Sequence, residues 1–272
     1  MVRSLGFAFC TLLALLAPEA RAATDLSYGP SPRQTLSVYA PPHAHDAPII
    51  VMVHGGAWMI GDKDNPGVSE PKASHWNADG VIFVSVDYRM LPEAGPMVQA
   101  ADVAAALAYV QHHAREWNGD PSRVVLMGHS AGAHLVSLVA VSPALQQAAG
   151  VRPWLATVSL DSGAVDVPGI MQNPHPRFYD RVFGESPSGW AEASPYDRMT
   201  RAPAMPMLMV CSTERANSCP ANERFVSKAR ELGGKADALP VALNHMQINQ
   251  TLGGSNAYTA QVDAWLSKNA AL

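Results

Sequence analysis

Short runs of apolar, mostly β-branched residues recur at Ile49 to Val53, Val81 to Val86, Val124 to Met127, Leu155 to Leu160, Pro206 to Cys211 and Ala238 to Leu243. Each is too short for a helix and too uniformly apolar for a half-exposed strand, so each predicts a strand buried on both faces. Longer segments of helical period separate them. Met97 to Trp117 repeats Val103, Leu107 and Val110 along one face, and Ala131 to Val141, Ala221 to Leu232 and Asn256 to Lys268 read likewise. Pro220 in a first turn and Ser255 as a cap mark two helix starts. Strand and helix thus alternate, which predicts a parallel sheet covered by helices on both faces. The rhythm breaks from Asp166 to Pro203. There Pro168, Pro174, Pro176, Pro187 and Pro195 mix with Phe178, Tyr179, Phe183, Trp190 and Tyr196 without a period. This excursion at about 166–203 is read equally as a lid and as a surface loop packed by its own aromatics.

The first residues follow another pattern. Arg3 precedes an apolar stretch from Leu5 to Ala17, and Ala20-Arg21-Ala22 fits a small-residue cleavage site. That predicts an export signal over 1–22, a mature chain from about Ala23, and a periplasmic or secreted location. The stretch falls short of the roughly 20 residues needed to span a bilayer, so no stable membrane anchor is expected. Cys10 would leave with the signal, without a lipid. Cys211 and Cys219 then remain, and in an oxidising compartment they are expected to form a disulfide closing a short loop. Their spacing does not suggest metal.

Composition narrows the classes. With 272 residues, 48% of them hydrophobic, the chain can bury one large core, so residues 23–272 are expected to form a single domain. Only 15% are charged and the formal net charge is −4. No basic stripe is available to neutralise phosphates, so nucleic acid and anionic membranes are discounted as partners.

Gly128-His129-Ser130-Ala131-Gly132 fits G-x-S-x-G and stands between a strand run and a helical segment. A sharp strand-to-helix turn there would lift the Ser130 hydroxyl above the sheet as a nucleophile, with glycines two before and two after to avoid clashes. His54-Gly55-Gly56-Ala57-Trp58 follows the first strand run directly. Such a loop turns backbone N–H groups toward developing negative charge, and Gly56, Ala57 and Ala131 are the expected oxyanion donors, with Gly55 the alternate. His54 is read as a structural partner of the loop and Trp58 as packing. The order nucleophile, acid, histidine makes His245 the expected base, because it alone follows the last strand run and precedes the terminal helix. His134, four residues past Ser130, is its rival. For the acid, the loop after Pro206 to Cys211 offers Glu214, preferred over Asn217, with Asp161 or Asp166 after the preceding strand as a third choice.

At these residues the sequence resembles the α/β-hydrolases, and within them the branch of acetyl-esterase and feruloyl-esterase-like enzymes, hormone-sensitive-lipase-like esterases and kynurenine formamidases. His54-Gly55-Gly56-Ala57-Trp58, Val86-Asp87-Tyr88-Arg89 with Pro92-Glu93, and Gly128-His129-Ser130-Ala131-Gly132-Ala133-His134-Leu135 carry the likeness. It spans roughly Thr35 to Leu266 and is strongest up to Leu160. The resemblance implies an eight-stranded, mostly parallel sheet and cofactor-free, metal-free acyl transfer on a small-molecule ester or N-formyl amide. The acid loop departs from the pattern, which usually has Asp there. An arylformamidase-like hydrolase and a non-catalytic binding protein on the same scaffold are the alternatives to an esterase.

Overall fold

The computed structural model describes residues 23–272. The expected export signal, with Arg3, Cys10 and Ala20-Arg21-Ala22, lies outside the described residues.

All six apolar runs are strands, with small shifts at their ends. They are β3 (Ala47–Val53), β4 (Ile82–Val86), β5 (Gly119–His129), β6 (Ala156–Leu160), β7 (Met207–Ser212) and β8 (Ala236–Val241). Two more precede them, β1 (Thr24–Ser27) and β2 (Thr35–Tyr39), giving an eight-stranded sheet in the order β1-β2-β4-β3-β5-β6-β7-β8. The β1–β2 and β2–β4 pairs are antiparallel and the remaining pairs parallel. The β1–β2 hairpin had no clear sequence signal because β1 is exposed and carries little apolar patterning.

Strand alternation sorts the core into two layers. Ile49, Val51 and Val53 of β3 pack with Leu107 and Leu135 on one face. Ile50 and Met52 pack with Trp76 and Leu266 on the other. Helix α1 (Pro66–Ala78) lies on the second face, and α2 (Pro96–His113), continued by a 3-10 turn over Ala114–Trp117, and α3 (Ala131–Val141) on the first. The sequence reading missed α1, whose apolar residues show no strong one-sided pattern and which holds Pro71 inside it.

After the short α4 (Pro143–Ala149), the proline-rich excursion forms four brief helices: α5 (Val167–Met171), α6 (Phe178–Phe183), α7 (Pro187–Glu192) and α8 (Pro195–Arg198). Three of the four are capped by side chains, Asp166, Ser186 and Ser194, that bond to the first-turn N–H groups. None is long enough to show a helical period, which is why the stretch reads as irregular. The chain closes with α9 (Ser218–Glu231), α10 (His245–Gln250) and α11 (Ala257–Ala270). Asn256, not Ser255, caps α11, accepting from the Thr259 N–H.

Candidate active site

Ser130 sits at the turn from β5 into α3 with φ of 56° and ψ of −115°, a conformation that is costly for a residue with a Cβ. The two glycines make the turn possible. A Cβ on Gly128 would come within 2.4 Å of the Gly132 carbonyl oxygen, and one on Gly132 within 2.2 Å of the Val53 carbonyl oxygen. The turn is also tied to the sheet, because Ser130 N–H donates to the Leu160 carbonyl at 3.0 Å.

His245 opens α10, and its Nε2 lies 2.9 Å from Ser130 Oγ. Several contacts fix this ring. Asn244 and Gln247 form a reciprocal cap around the start of α10. The ring of His129 donates from Nε2 to the His245 carbonyl at 2.9 Å. Burial, together with the neighbouring His245, pushes the His129 imidazole down to about 3, so it stays neutral and keeps a single N–H to donate. At the far end of α10, the buried Lys72 donates to the Asn249 carbonyl at 2.6 Å.

On its other side, His245 Nδ1 lies 2.6 Å from Asp161 Oδ2. Asp161 stands just past β6, fully buried and with φ of 55°. Its Oδ1 accepts from Ser212 N–H at 2.9 Å and from the Ser218 hydroxyl. Its Oδ2 also accepts from Arg215 Nη1 at 2.5 Å. Burial alone would raise the carboxyl, but the bonds from His245 and Ser218, the Arg215 charge and the Ser212 N–H outweigh it. They hold Asp161 well below the usual carboxylate range. Arg215 Nη1 also lies 2.9 Å from His245 Nδ1. With the Nδ1 proton directed at Asp161, these are two donors sharing one acceptor.

This geometry corrects the expected acid. Glu214 and Asn217 are exposed on the loop after β7, and among the described residues the Glu214 carboxylate has no hydrogen-bond partner, its backbone N–H alone donating to Ser212 Oγ. Neither joins the Ser130–His245 chain of contacts. What the loop supplies is cationic and hydroxylic, Arg215 and Ser218, aimed at a carboxylate on the neighbouring strand. Asp166 is engaged elsewhere, capping α5 and pairing with Arg224 at 2.9 Å. His134 is also set apart. It is buried, accepts from Trp58 Nε1 at 3.1 Å and donates from Nε2 to the Ala193 carbonyl at 2.7 Å.

The glycine loop after β3 borders Ser130 as the sequence suggested. Ala57 and Trp58 both hold positive φ, 51° and 60°. The N–H groups of Gly56 and Ala57 have no hydrogen-bond partner among the described residues, and that of Ala131 belongs to the unpaired first turn of α3. His54 braces the loop from behind. Its Nδ1 bonds to the Gly55 carbonyl at 2.6 Å, its Nε2 faces Asp87 at 3.1 Å, and its ring stacks on Tyr88 at 4.5 Å. Trp58 is buried and packs edge-on against His134 and Phe183. The excursion is thereby joined to the loop through α6.

A cavity of about 770 Å³ opens over Ser130, lined by Gly56, Ala57, Trp58, Phe178, Tyr179 and Arg215 among others. Among the described residues, no group of three or more His, Cys, Asp or Glu side chains is gathered as metal ligands. The Cys211 and Cys219 sulfurs lie at bonding distance, 2.09 Å, and bracket the segment that carries Arg215 and Ser218.

Arg215 and Ser218 were not found by reading the sequence. The available signal was an arginine standing where an acid was sought, together with Asp161-Ser162-Gly163 directly after a strand run.

Residues 36–163 match the family model described as BD-FAE. Among curated proteins, a probable carboxylic ester hydrolase, LipM, of Mycobacterium tuberculosis is 37% identical over 44% of this chain and 28% of its own length. Carboxylesterase NlhH of the same organism is 34% identical over 56% of this chain and 48% of its own. A probable isoprenylcysteine alpha-carbonyl methylesterase of Arabidopsis thaliana is 32% identical over 45% of this chain and 25% of its own. The match therefore spans less than half the length of each of these relatives. Among solved structures, Thermogutta terrifontis esterase 2 phosphonylated by sarin superposes with a TM-score of 0.76 at 22% identity, covering 92% of this chain and 96% of that one. The same esterase with butyrate bound gives a TM-score of 0.72 at 22% identity, covering 92% of this chain and 95% of that one.

Proposed function

We propose that this chain, whose sheet and covering helices have the α/β-hydrolase fold, is an exported serine hydrolase of carboxylic esters that works through an acyl-enzyme. The observation that carries the reading is the unbroken line of contacts from Ser130 Oγ through His245 to Asp161. In the proposed cycle, His245 Nε2 takes the Ser130 proton as Oγ attacks the ester carbonyl carbon. Asp161 keeps the ring in the tautomer that leaves Nε2 free to accept and stabilises the imidazolium that forms. The carbonyl oxygen gains negative charge and is met by the N–H groups of Gly56, Ala57 and Ala131, each worth roughly 2.7–4 kcal/mol in such sites. As the tetrahedral species collapses, the imidazolium gives its proton to the leaving alcohol. His245 then activates water, and its attack releases the acid and restores Ser130.

The curated relatives named as ester hydrolases support this reaction class over the matched segment. An aromatic-walled cavity of about 770 Å³ suits compact acyl groups. Export is supported by the signal pattern in 1–22, and in an oxidising compartment the Cys211–Cys219 pair would be a disulfide that ties down the loop bearing Arg215 and Ser218.

The test is labelling of the purified chain by a fluorophosphonate probe, beside turnover of p-nitrophenyl acetate and of N-formylkynurenine. Labelling that vanishes in Ser130→Ala, with turnover of the ester alone, is the expected result. An unlabelled chain would overturn the reading. Preferential turnover of the formyl amide would redirect it to an amide hydrolase.

A further inference from the structure

Only one edge of the Arg215 guanidinium is occupied. Nη1 makes all of its contacts with Asp161 and His245, while Nε and Nη2 have no hydrogen-bond partner among the described residues. A guanidinium presents its N–H donors in a rigid plane, so fixing Nη1 on Asp161 also fixes where the free edge points. The Nη2 end of that edge lies over Gly163. A Cβ on Gly163 would stand 3.3 Å from Arg215 Nη2 and 3.7 Å from Tyr179 Oη. Two donors therefore converge on the open face left by a residue with no side chain.

The Tyr179 hydroxyl also has no hydrogen-bond partner among the described residues. Its ring is held by stacking on Phe183, with centroids 6.0 Å apart, and by Trp58 at 6.1 Å. Burial raises its pKa, against the pull of the Arg215 charge, so the hydroxyl keeps its proton and can donate. Gly163, Phe178, Tyr179 and Arg215 wall both the cavity over Ser130 and a second cavity of about 680 Å³. The unused donors stand at the seam between the two. Asp161 lies behind Arg215 and is fully buried, and Asp166, in the wall of the second cavity, is taken up by Arg224.

We propose that this seam is a subsite for a carboxylate carried by the substrate, making the chain selective for esters that bear a second, free carboxyl group. The inference rests on the ester-hydrolase reading of the same site. A planar, singly charged group with two acceptor oxygens matches one guanidinium edge and one hydroxyl. A phosphate dianion would bring a second negative charge toward Asp161. The carboxylate can sit on the acyl side, as in a half-ester of a dicarboxylic acid, or on the alcohol side, as in an ester of a hydroxybenzoate.

Two matched pairs of esters separate these sources: mono-p-nitrophenyl glutarate against its methyl ester, and 4-acetoxybenzoate against its methyl ester. The quantity read is the ratio of kcat/KM within each pair, in which any change to the shared Ser130 and His245 chemistry cancels. We expect the wild type to favour the charged member of one pair by about tenfold, the scale of a hydrogen-bonded charge. Arg215→Met should abolish that preference and Tyr179→Phe weaken it, mainly through KM. A ratio at or below one in both pairs, or a ratio untouched in both variants, overturns the subsite while leaving ester hydrolysis standing. A readout independent of turnover is calorimetric binding of monomethyl glutarate and of 4-hydroxybenzoate to the Ser130→Ala chain. Binding of one of them that is lost on adding Tyr179→Phe or Arg215→Met supports the subsite even if no ester is turned over, and absence of binding by both counts against it.

Discussion

The corner that presents Ser130 is shaped by main chain pressing on Gly128 and Gly132, whereas the His245 side gathers Asp161, Ser212, Arg215, Ser218 and His245 from at and beyond the ends of three successive strands. In the first region, close approach of main chain to main chain forbids all but glycine at two positions. Such a demand leaves a mark in the sequence that can be read without knowing the fold. In the second region any carboxylate at the right point in space would satisfy His245. The demand falls on long-range placement, and no short motif records it.

The largest test of this contrast removes the product of the first region. Ser130→Ala should lower kcat on p-nitrophenyl acetate by on the order of 10⁶, as loss of a nucleophile does in serine hydrolases, with the melting temperature kept. Residual activity within tenfold of the parent would place the nucleophile elsewhere.

Next comes the acid. Asp161→Asn should cost about 10⁴ in kcat, because an amide holds the wrong tautomer and leaves the imidazolium uncompensated. Glu214→Gln, on an exposed side chain, should change kcat less than twofold. Measuring both on one activated ester sharpens the comparison, and the opposite ranking would return the acid to the loop after β7.

A smaller effect is expected from the Cys211–Cys219 pair. With a sequence separation of 8, closing the loop should stabilise the fold by about 2.5 kcal/mol in the chain-entropy picture. Urea unfolding with and without reductant measures this. An unchanged midpoint would show that the loop is held by Asp161 and its partners without help.

A last test, confined to alkaline pH, concerns Lys72, which braces α10 from inside the core. Burial pulls its amine down to about 7 from 10.5. Between those values the unfolded chain binds the extra proton, so this group makes stability rise with pH from about 7 to 10.5. Lys72→Met removes that slope. Thermal melts at several pH values should show the wild type gaining relative to the variant as pH rises, and a gap that stays level would mean the amine is charged in the folded protein.

How far the sequence could be read follows from the same contrast. The strands of the sheet centre were legible because burial on both faces leaves unbroken apolar runs, and α3 was placed at its observed bounds from its period alone. Hairpin strand β1, exposed but for the half-buried Leu26, gave no such run. The four short helices of the excursion owe their starts to Asp166, Ser186 and Ser194 and are too brief for periodicity. Ser130, His245 and the glycine loop stood out through local geometry and chain order. Glu214 was preferred over Asp161 because order along the chain says which loop usually bears the acid, not which carboxylate is buried beside the histidine. Arg215 shows the difference: in the sequence it looks like one more surface charge, and only in space does it face a buried aspartate.

Ser130 and Asp161 are joined to one another through the sheet, since Ser130 N–H bonds to the carbonyl of Leu160, the residue before Asp161. Their separation is therefore set by the spacing of neighbouring strands, about 4.8 Å, and endures as long as β5 and β6 remain paired. His245 arrives by another route, on the segment that follows the edge strand β8, which has a sheet neighbour on one side only. Four of the six β8 residues are not buried, and segments with few buried apolar contacts open at lower cost. Opening there would loosen the segment that leads into His245 while leaving Ser130 and Asp161 in register, so in the proposed mechanism the fraction of time that α10 is docked would multiply into the rate. Breathing of this one edge would act as a throttle on turnover, visible as amide exchange in β8 and α10 that rises in step with loss of activity while β5 and β6 stay protected.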